Sequence, residues 1–217
     1  MKKIAINGFG RIGRSVFRAL YERNLTDSLK VVAINELADL DTIRYLARYD
    51  STHGKFPGDI QAGNEELVVN GQRIALTHID EMDQLCWTDI DVVLECSGSF
   101  DERDVAELHI QAGAKRVLLS APGKNVDRTI VYGVNHGELQ KSDVMISNGS
   151  CTTNCLAPLA KVLDEAIGIE SGIMTTIHSY TGDQPALDRR HADLDRARAA
   201  AMAMIPTSTG AAKALGE

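Results

Sequence analysis

The chain is poor in aromatic residues, in basic charge and in long apolar runs. Aromatics make up 5% of the 217 residues, although an apolar fraction of 44% still allows a sizeable core in one large domain or two small ones. Twenty-three lysines and arginines face 30 aspartates and glutamates, and the net charge of −7 argues against binding to nucleic acid. No apolar stretch is long enough to cross a bilayer, so we expect no membrane partner.

Cysteine is also scarce, and the four cysteines are Cys86, Cys96, Cys151 and Cys155. The chain starts directly with a strand-like segment rather than with a signal peptide, so we expect a cytoplasmic protein with reduced thiols. Cys151 and Cys155 stand in C-x₃-C spacing with no second Cys or His cluster nearby. This spacing disfavours both a zinc site and a dithiol redox motif, and we expect no metal.

The order of predicted elements is typical of an α/β fold. Strands at 2–6 and 30–37 alternate with helices at 11–24 and 39–50, the pattern of a parallel sheet with right-handed crossovers. Two alternating runs around Asn70-Gly71 predict an antiparallel hairpin at the sheet edge. Further parallel-sheet elements are predicted at 91–98 (strand), 101–113 (helix), 115–122 (strand), 129–135 (strand) and 143–148 (strand).

The pattern changes near Asn148, where we place the boundary between two units. Residues 151–168 predict a helix with an inward face, residues 171–180 a strand, and residues 184–204 an extended, partly helical loop. The predicted inward residues of the helix are Leu156, Leu159, Val162 and Leu163.

A glycine motif, G-x-G-x-x-G, follows the first predicted strand and opens the first helix. Gly8 permits a tight turn, Gly10 lets a pyrophosphate approach the backbone, and Gly13 lets helix and strand pack closely. Glu36 follows Gly13 by 23 positions, where a carboxylate holds the adenosine ribose and disfavours a 2′-phosphate. We therefore predict a Rossmann-type doubly wound parallel sheet that binds NAD; the alternative is a structural glycine turn beside a solvated Glu36.

The segment SNGSCTTNC, residues 147–155, precedes a predicted helix. Its N–H groups and dipole favour the thiolate of Cys151, but the local features fit a buried, inert cysteine almost equally well. His178 ends the predicted strand that leads back toward the helix start, and its imidazole could shuttle protons beside Cys151, although a lone histidine is more often structural. We predict a reactive Cys151 and interpret Cys155 as a small, buried packing residue.

Four segments of the chain, AINGFGRIGR, SNGSCTTNCLAPLAKVL, TTIHSYTGDQ and IPTSTGAAKALG, closely resemble the phosphorylating (type I) glyceraldehyde-3-phosphate dehydrogenase family. The resemblance runs through the whole chain. It implies a dinucleotide-binding domain over residues 1–149, followed over residues 150–217 by the N-terminal portion of an α+β catalytic domain. It also implies a homotetramer.

The resemblance implies that Cys151 attacks the aldehyde of glyceraldehyde 3-phosphate and that His178 accepts the hydroxyl proton while hydride passes to NAD. Inorganic phosphate then cleaves the thioester to release 1,3-bisphosphoglycerate. The family positions around the attacking phosphate match Ser150, Thr152, Thr209 and Gly210, and Thr181 matches the substrate-phosphate pocket. Cofactor-contacting positions match Arg11, Ile12 and Ser120.

Several residues depart from the family pattern. Glu36 replaces a more usual aspartate, Asp183 stands where many relatives have threonine, and Asp80 stands where relatives often carry a basic residue near the adenine. Arg189 and Arg190 lie in the loop that reaches a neighbouring subunit's cofactor in this family. They are either solvated charges or contacts to a 2′-phosphate, so NADP is not excluded.

The chain stops at KALGE, and roughly the last third of the family pattern does not follow. Two alternatives to the main prediction stay open for this reason and because related enzymes share the motifs. One is erythrose-4-phosphate dehydrogenase, and the other is a non-catalytic NAD-binding fragment.

Overall fold

A computed structural model describes residues 1–99 and 102–216. The chain divides into two compact units, Met1–Ser150 and Cys151–Glu217, and the predicted boundary lies one residue earlier. No helix in the described part of the chain is long and apolar enough to span a membrane.

The described strands are β1 (Lys2–Asn7), β2 (Leu29–Asn35), β3 (Tyr49–Asp50), β4 (Gly54–Lys55), β5 (Ile60–Ala62), β6 (Glu66–Val69), β7 (Gln72–Thr77), β8 (Val92–Glu95), β9 (Val117–Leu119), β10 (Arg128–Thr129) and β11 (Met145–Ser147). The α-helices are α1 (Arg11–Glu22), α2 (Leu40–Arg48), α3 (Arg103–Gln111), α4 (Cys151–Ile167) and α5 (Ala211–Ala214). Short 3₁₀ turns lie at Met82–Gln84, His136–Glu138, Asp195–Ala197 and Ala200–Met202. The predicted start of α3 at residue 101 lies outside the described residues.

A nine-stranded sheet in the order β10-β11-β9-β8-β1-β2-β7-β6-β5 forms the centre of the first unit. Every neighbouring pair from β10 to β7 is parallel, whereas β7, β6 and β5 are antiparallel. Asn70 and Gly71 have φ angles of 51° and 81° and join β6 to β7, as their sequence predicts for a two-residue turn. The predicted α/β class with a parallel sheet is confirmed.

Apolar side chains from both faces of the sheet form the core. Ile6, Ile34 and Ile74 lie in three neighbouring strands and are fully buried. The ring of Phe17 on α1 contacts those of Phe9 and Phe56 at centroid distances of 5.4 and 5.7 Å, so three phenylalanines pack together beside α1.

Two predicted strands differ from the structure. Residues 171–180 pair with no strand among the described residues, since a strand exists only through hydrogen bonds to a neighbour and the second unit offers none there. In 129–135, pairing ends after Thr129. The side chain of Asn135 accepts from the Val131 N–H at 2.8 Å and donates to the Thr129 carbonyl at 2.9 Å, which turns the backbone away.

The predicted inward face of α4 is largely exposed. Leu159, Val162 and Leu163 are 57%, 63% and 42% exposed, and Leu156 is half-buried. The prediction is wrong for this chain because helical periodicity identifies an apolar face without supplying the element that covers it.

Asp127 joins β11 to the start of α3. Its carboxylate accepts from the N–H groups of Val144 and Met145 at 2.8 and 2.9 Å and pairs with Arg103 at 2.7 Å. Burial opposes ionisation, but these hydrogen bonds prevail and lower the pKa of Asp127 to about 2.

Asp127→Asn is expected to lower the free energy of unfolding by about 2 kcal/mol near neutral pH, because an unfolded aspartate titrates at about 3.9. A lowered folded-state pKa stabilises the fold above about pH 4, and the contribution is lost as pH falls toward about 2. Urea unfolding followed by circular dichroism should therefore show that Asp127→Asn is less stable than the unaltered chain near neutral pH, and that this difference in free energy of unfolding decreases as the pH is lowered. A deficit independent of pH would contradict this assignment.

Candidate active site

The glycine motif forms one wall of a pocket at the carboxyl ends of β1, β2 and β8. A Cβ on Gly8, whose φ is +84°, would lie 2.5 Å from the Ser97 backbone, and one on Gly13 would lie 2.3 Å from the Gly8 carbonyl oxygen. A Cβ on Gly10 would meet nothing within 4 Å. Gly8 and Gly13 therefore serve close packing, whereas Gly10 leaves open space at the start of α1, where a pyrophosphate can meet unpaired N–H groups.

The pocket is lined mainly by strand-end and loop residues of the first unit. They are Asn7, Gly8, Gly10, Asn35, Glu36, Leu37, Ile79, Asp80, Met82, Cys96, Ser97 and Ser99.

Glu36 lies between the glycine loop and the residues that follow β2. Its Oε2 accepts from the Phe9 N–H at 2.7 Å, and its Oε1 accepts from the Ala38 N–H at 3.3 Å. The carboxylate is thus fixed against the loop while keeping acceptor capacity for ribose hydroxyls. The cradle left by Gly10 and the position of Glu36 fit an adenine dinucleotide.

The other predicted cofactor residues lie around this pocket without lining it. Arg11 forms an ion pair with Asp50. Burial of Asp50 opposes ionisation, but N–H groups of His53 and Thr52 together with Arg11 lower its pKa to about 2. Ile12 is 47% exposed at the start of α1.

Ser120 follows β9, and its side chain hydrogen-bonds the thiol of Cys96. Burial raises the pKa of Cys96 to about 11, so this pocket thiol is protonated and unreactive near neutral pH.

In the second unit, Cys151 is the first residue of α4, and its Sγ lies 3.2 Å from Nε2 of His178. Nδ1 of His178 lies 2.6 Å from the Ser179 carbonyl oxygen, which can only accept, so Nδ1 carries a proton. Nε2 is therefore the nitrogen that can accept the thiol proton. The arrangement is that of a thiol beside an imidazole held in one tautomer.

Cys155 lies one turn further along α4 and is exposed. The prediction that it is buried is wrong for the same reason as the exposed leucine face of α4. All four cysteines are free thiols. No group of three metal-ligating side chains occurs in the part of the chain that the structure describes.

The predicted phosphate residues divide into three places. Oγ1 of Thr152 on α4 lies 3.0 Å from Oγ1 of Thr209, which precedes the short α5 and accepts from the Ala211 N–H at 3.3 Å. Gly210 is the residue that precedes α5. Thr181 instead closes its own turn, where its N–H and hydroxyl donate to Oε1 of Gln184 at 2.7 and 3.0 Å. Ser150 is the last residue of the first unit and is half-buried.

Sequence reasoning missed Arg196, which lies beside the loop that carries Thr209. Its guanidinium donates to Oγ1 of Thr207 at 2.9 Å and to Oδ2 of Asp183 at 2.8 Å. Hydrogen bonds from His191 and then from Arg196 lower the pKa of Asp183. No local motif marks Arg196, because the side chains to which it donates, Thr207 and Asp183, lie 11 and 13 residues away. Arg189 and Arg190 are both exposed.

It also missed Asn7, Asn35 and Glu95, which end β1, β2 and β8; Asn7 and Asn35 line the pocket. A signal for them exists, since each is a polar residue at the end of an apolar strand.

Comparison with known proteins agrees with this geometry. Residues 2–103 match the family model described as glyceraldehyde 3-phosphate dehydrogenase, NAD binding domain, and residues 150–217 match its C-terminal domain. Glyceraldehyde-3-phosphate dehydrogenases from Cereibacter sphaeroides and Xanthobacter flavus are each 56% identical over 99% of the chain. That from Thermotoga maritima is 51% identical over 99% of the chain.

The chain spans 64% of the length of the first two relatives and 65% of the third. The predicted family and the predicted NAD cofactor are confirmed by these matches. This chain belongs to the glyceraldehyde-3-phosphate dehydrogenase family, and its first unit carries the NAD-binding domain of that family.

Proposed function

We propose that this chain carries the NAD-binding pocket and the reactive thiol for NAD-dependent oxidative phosphorylation of glyceraldehyde 3-phosphate to 1,3-bisphosphoglycerate. Cys151 is the nucleophile and His178 the base. The observation that carries the proposal is the 3.2 Å approach of Cys151 Sγ to Nε2 of His178, whose Nδ1–H is held by the Ser179 carbonyl.

The thiol of Cys151 gives its proton to Nε2 of His178, and the sulfur forms a bond to the aldehyde carbon. The carbonyl oxygen takes this proton from Nε2 of His178, which gives a thiohemiacetal and leaves the imidazole neutral. The N–H groups at the start of α4 stabilise the negative charge that develops on this oxygen. His178 then accepts the hydroxyl proton as the C–H bond breaks with its electron pair, and a thioester remains on Cys151.

NAD supplies the hydride acceptor for that step when bound. The residues of the first unit bind and orient it: Gly8, Gly10 and Gly13 shape the loop, Glu36 holds the adenosine ribose, and the N–H groups of α1 meet the pyrophosphate. The family positions Arg11, Ile12 and Ser120 are proposed to contact it as well.

Inorganic phosphate attacks the thioester carbon, the C–S bond breaks, and the thiolate of Cys151 is restored as the acyl phosphate leaves. The hydroxyls of Thr152 and Thr209, 3.0 Å apart, support a phosphate position beside the start of α5. We assign Ser150 and Gly210 to the same position and Thr181 to the substrate phosphate. We further propose a cytoplasmic homotetramer.

Cys151 is expected to react with iodoacetamide about tenfold or more faster than Cys155 near neutral pH. Both thiols are exposed, but only Cys151 stands at the helix start with an imidazole nitrogen 3.2 Å away. Peptide mass spectrometry of a labelling time course measures both rates in one sample. Cys96, whose thiol is buried, serves as the unlabelled reference.

Equal rates for Cys151 and Cys155 would remove the basis for naming Cys151 the nucleophile. The same chain should then be supplied with glyceraldehyde 3-phosphate or with erythrose 4-phosphate, and NADH formation followed by absorbance. Faster reaction with the four-carbon substrate would favour the erythrose enzyme. Rapid labelling and NAD binding without NADH formation would favour the non-catalytic alternative.

A further inference from the structure

Four neighbouring parallel strands of the first unit end in a polar residue at the same register position. Asn7 pairs with Asn35 on one side and with Glu95 on the other, and Asn35 pairs with Thr77. All but Thr77 are buried. These residues form a connected polar row at the dinucleotide pocket, and two of them, Asn7 and Asn35, line it.

Hydrogen bonds join the row from end to end. Nδ2 of Asn7 donates to Oε2 of Glu95 at 2.6 Å, and Nδ2 of Asn35 donates to Oδ1 of Asn7 at 2.9 Å. Oδ1 of Asn35 accepts from the Thr77 hydroxyl and from the Ile79 N–H, both at 2.8 Å. The row therefore ties the loop after β7 to the end of β8.

Glu95 accepts four hydrogen bonds. Oε1 takes the Ser97 N–H at 2.7 Å and the Ser97 hydroxyl at 2.5 Å. Oε2 takes Nδ2 of Asn7 and Nε2 of His109, the latter at 2.8 Å. Because a carboxylate offers about four acceptor sites, this set is complete.

His109, the histidine that donates to Glu95, is held in one tautomer. Nε1–H of Trp87 donates to Nδ1 of His109 at 2.9 Å, and both residues are buried. An indole N–H can only donate, so Nδ1 is unprotonated and the His109 proton lies on Nε2, aimed at Glu95. Trp87 thereby fixes the tautomer that the carboxylate requires.

This hydrogen-bond network contacts the dinucleotide pocket through the turn after β8. Ser97 and Ser99 line the pocket, and the Ser99 N–H donates to the Ser97 hydroxyl at 3.2 Å. The backbone of Ser97 also lies so close to Gly8 that a Cβ there would clash at 2.5 Å. A carboxylate that holds Ser97 therefore holds the turn against the glycine loop.

We propose that Glu95 is a positioning residue for NAD: it fixes the Ser97 turn, and His109 and Trp87 fix Glu95. The inference rests on NAD lying in the first-unit pocket, and not on the thiol chemistry proposed for the second unit.

The lining of the pocket shows which half of NAD the network serves. Ser97 and Ser99 line the same cavity as Glu36 and Leu37, which follow β2. Because Glu36 is the residue that we propose to hold the adenosine ribose, the Ser97 turn faces the adenosine half of NAD, which AMP also contains.

Glu95→Gln in the 217-residue chain provides the test. Glutamine replaces one carboxylate oxygen by an NH₂ group, which donates and cannot accept. In either orientation this NH₂ faces another donor, the Ser97 N–H or the Nε2–H of His109. We expect the Kd values of NAD and of AMP each to rise about tenfold, both measured by calorimetry. Asp127→Asn is the matched control, since it makes the same carboxylate-to-amide change away from the pocket and should leave both affinities unchanged.

An unchanged Kd of NAD in Glu95→Gln would overturn the proposal, as would the same weakening in Asp127→Asn, which would mean general damage. If the unaltered chain bound neither NAD nor AMP, the assignment of the NAD-binding pocket would be wrong and so would the proposal. Should Glu95→Gln not fold, His109→Gln carries the same test. That variant keeps the carboxylate and should raise the Kd values of NAD and of AMP each about threefold.

Discussion

His178→Asn is expected to slow NADH formation from glyceraldehyde 3-phosphate by about 10²–10⁴-fold, the range over which a positioned acid–base group contributes. Asparagine keeps an N–H donor near the position of Nδ1, so the hydrogen bond to the Ser179 carbonyl can persist. It removes the Nε2 acceptor that lies 3.2 Å from Cys151 Sγ. The rate should be followed as absorbance of NADH in a single turnover.

Matched variants separate the thiol from its neighbours. Cys151→Ser should abolish NADH formation, whereas Cys155→Ser should leave it unchanged, because Cys155 is exposed one turn away from the histidine. Slowed iodoacetamide labelling of Cys151 in His178→Asn would show the same dependence without turnover. A His178→Asn rate within about twofold of the unaltered chain would exclude the histidine as the base.

Gly8→Ala is expected to lower the free energy of unfolding by about 3 kcal/mol or more and to abolish NAD binding. Two costs add at this position. The backbone has a φ of +84°, and the new Cβ would lie 2.5 Å from backbone atoms of Ser97, which cannot rotate away. Relief of the clash must separate the glycine loop from the turn after β8, and the pocket between them is then lost.

Gly10→Ala is the control for Gly8→Ala. Its Cβ would meet no atom within 4 Å, so stability should change by less than about 0.5 kcal/mol. The methyl group would nevertheless occupy the space through which a pyrophosphate approaches, so NAD binding should weaken while the fold persists. Urea unfolding and calorimetric NAD titration measure the two effects separately. A stable Gly8→Ala variant with unaltered NAD affinity would contradict the assigned role of the loop.

The sequence predicted the first unit well because its signals are local. Strand-helix alternation, the Asn70-Gly71 turn and the glycine spacing each act within a few residues, and the nine-stranded sheet bears them out. The spacing also distinguished the three glycines by role. In the structure Gly8 and Gly13 have no room for a Cβ, whereas Gly10 has.

The second unit was harder to predict, since its features depend on distant partners. Periodicity predicted an apolar face on α4 and a strand over residues 171–180. Burial of that face and pairing of that strand both require other elements of the chain, which no local pattern specifies. For the same reason the prediction that Cys155 is buried is wrong, and the sequence gave no reason to single out Arg196.

The sequence alone determined the family, the parallel sheet and the dinucleotide loop, and it predicted Cys151 and His178 as the nucleophile and the base. Those conclusions follow from residue type and short-range spacing. Only the tertiary structure decided that Nε2 of His178, rather than Nδ1, meets the thiol, and that Glu95, His109 and Trp87 form one buried hydrogen-bonded set. Hydrogen bonds between residues 14 to 27 positions apart depend on direction and tautomer, and the chain acquires both only when the elements that carry those residues have packed.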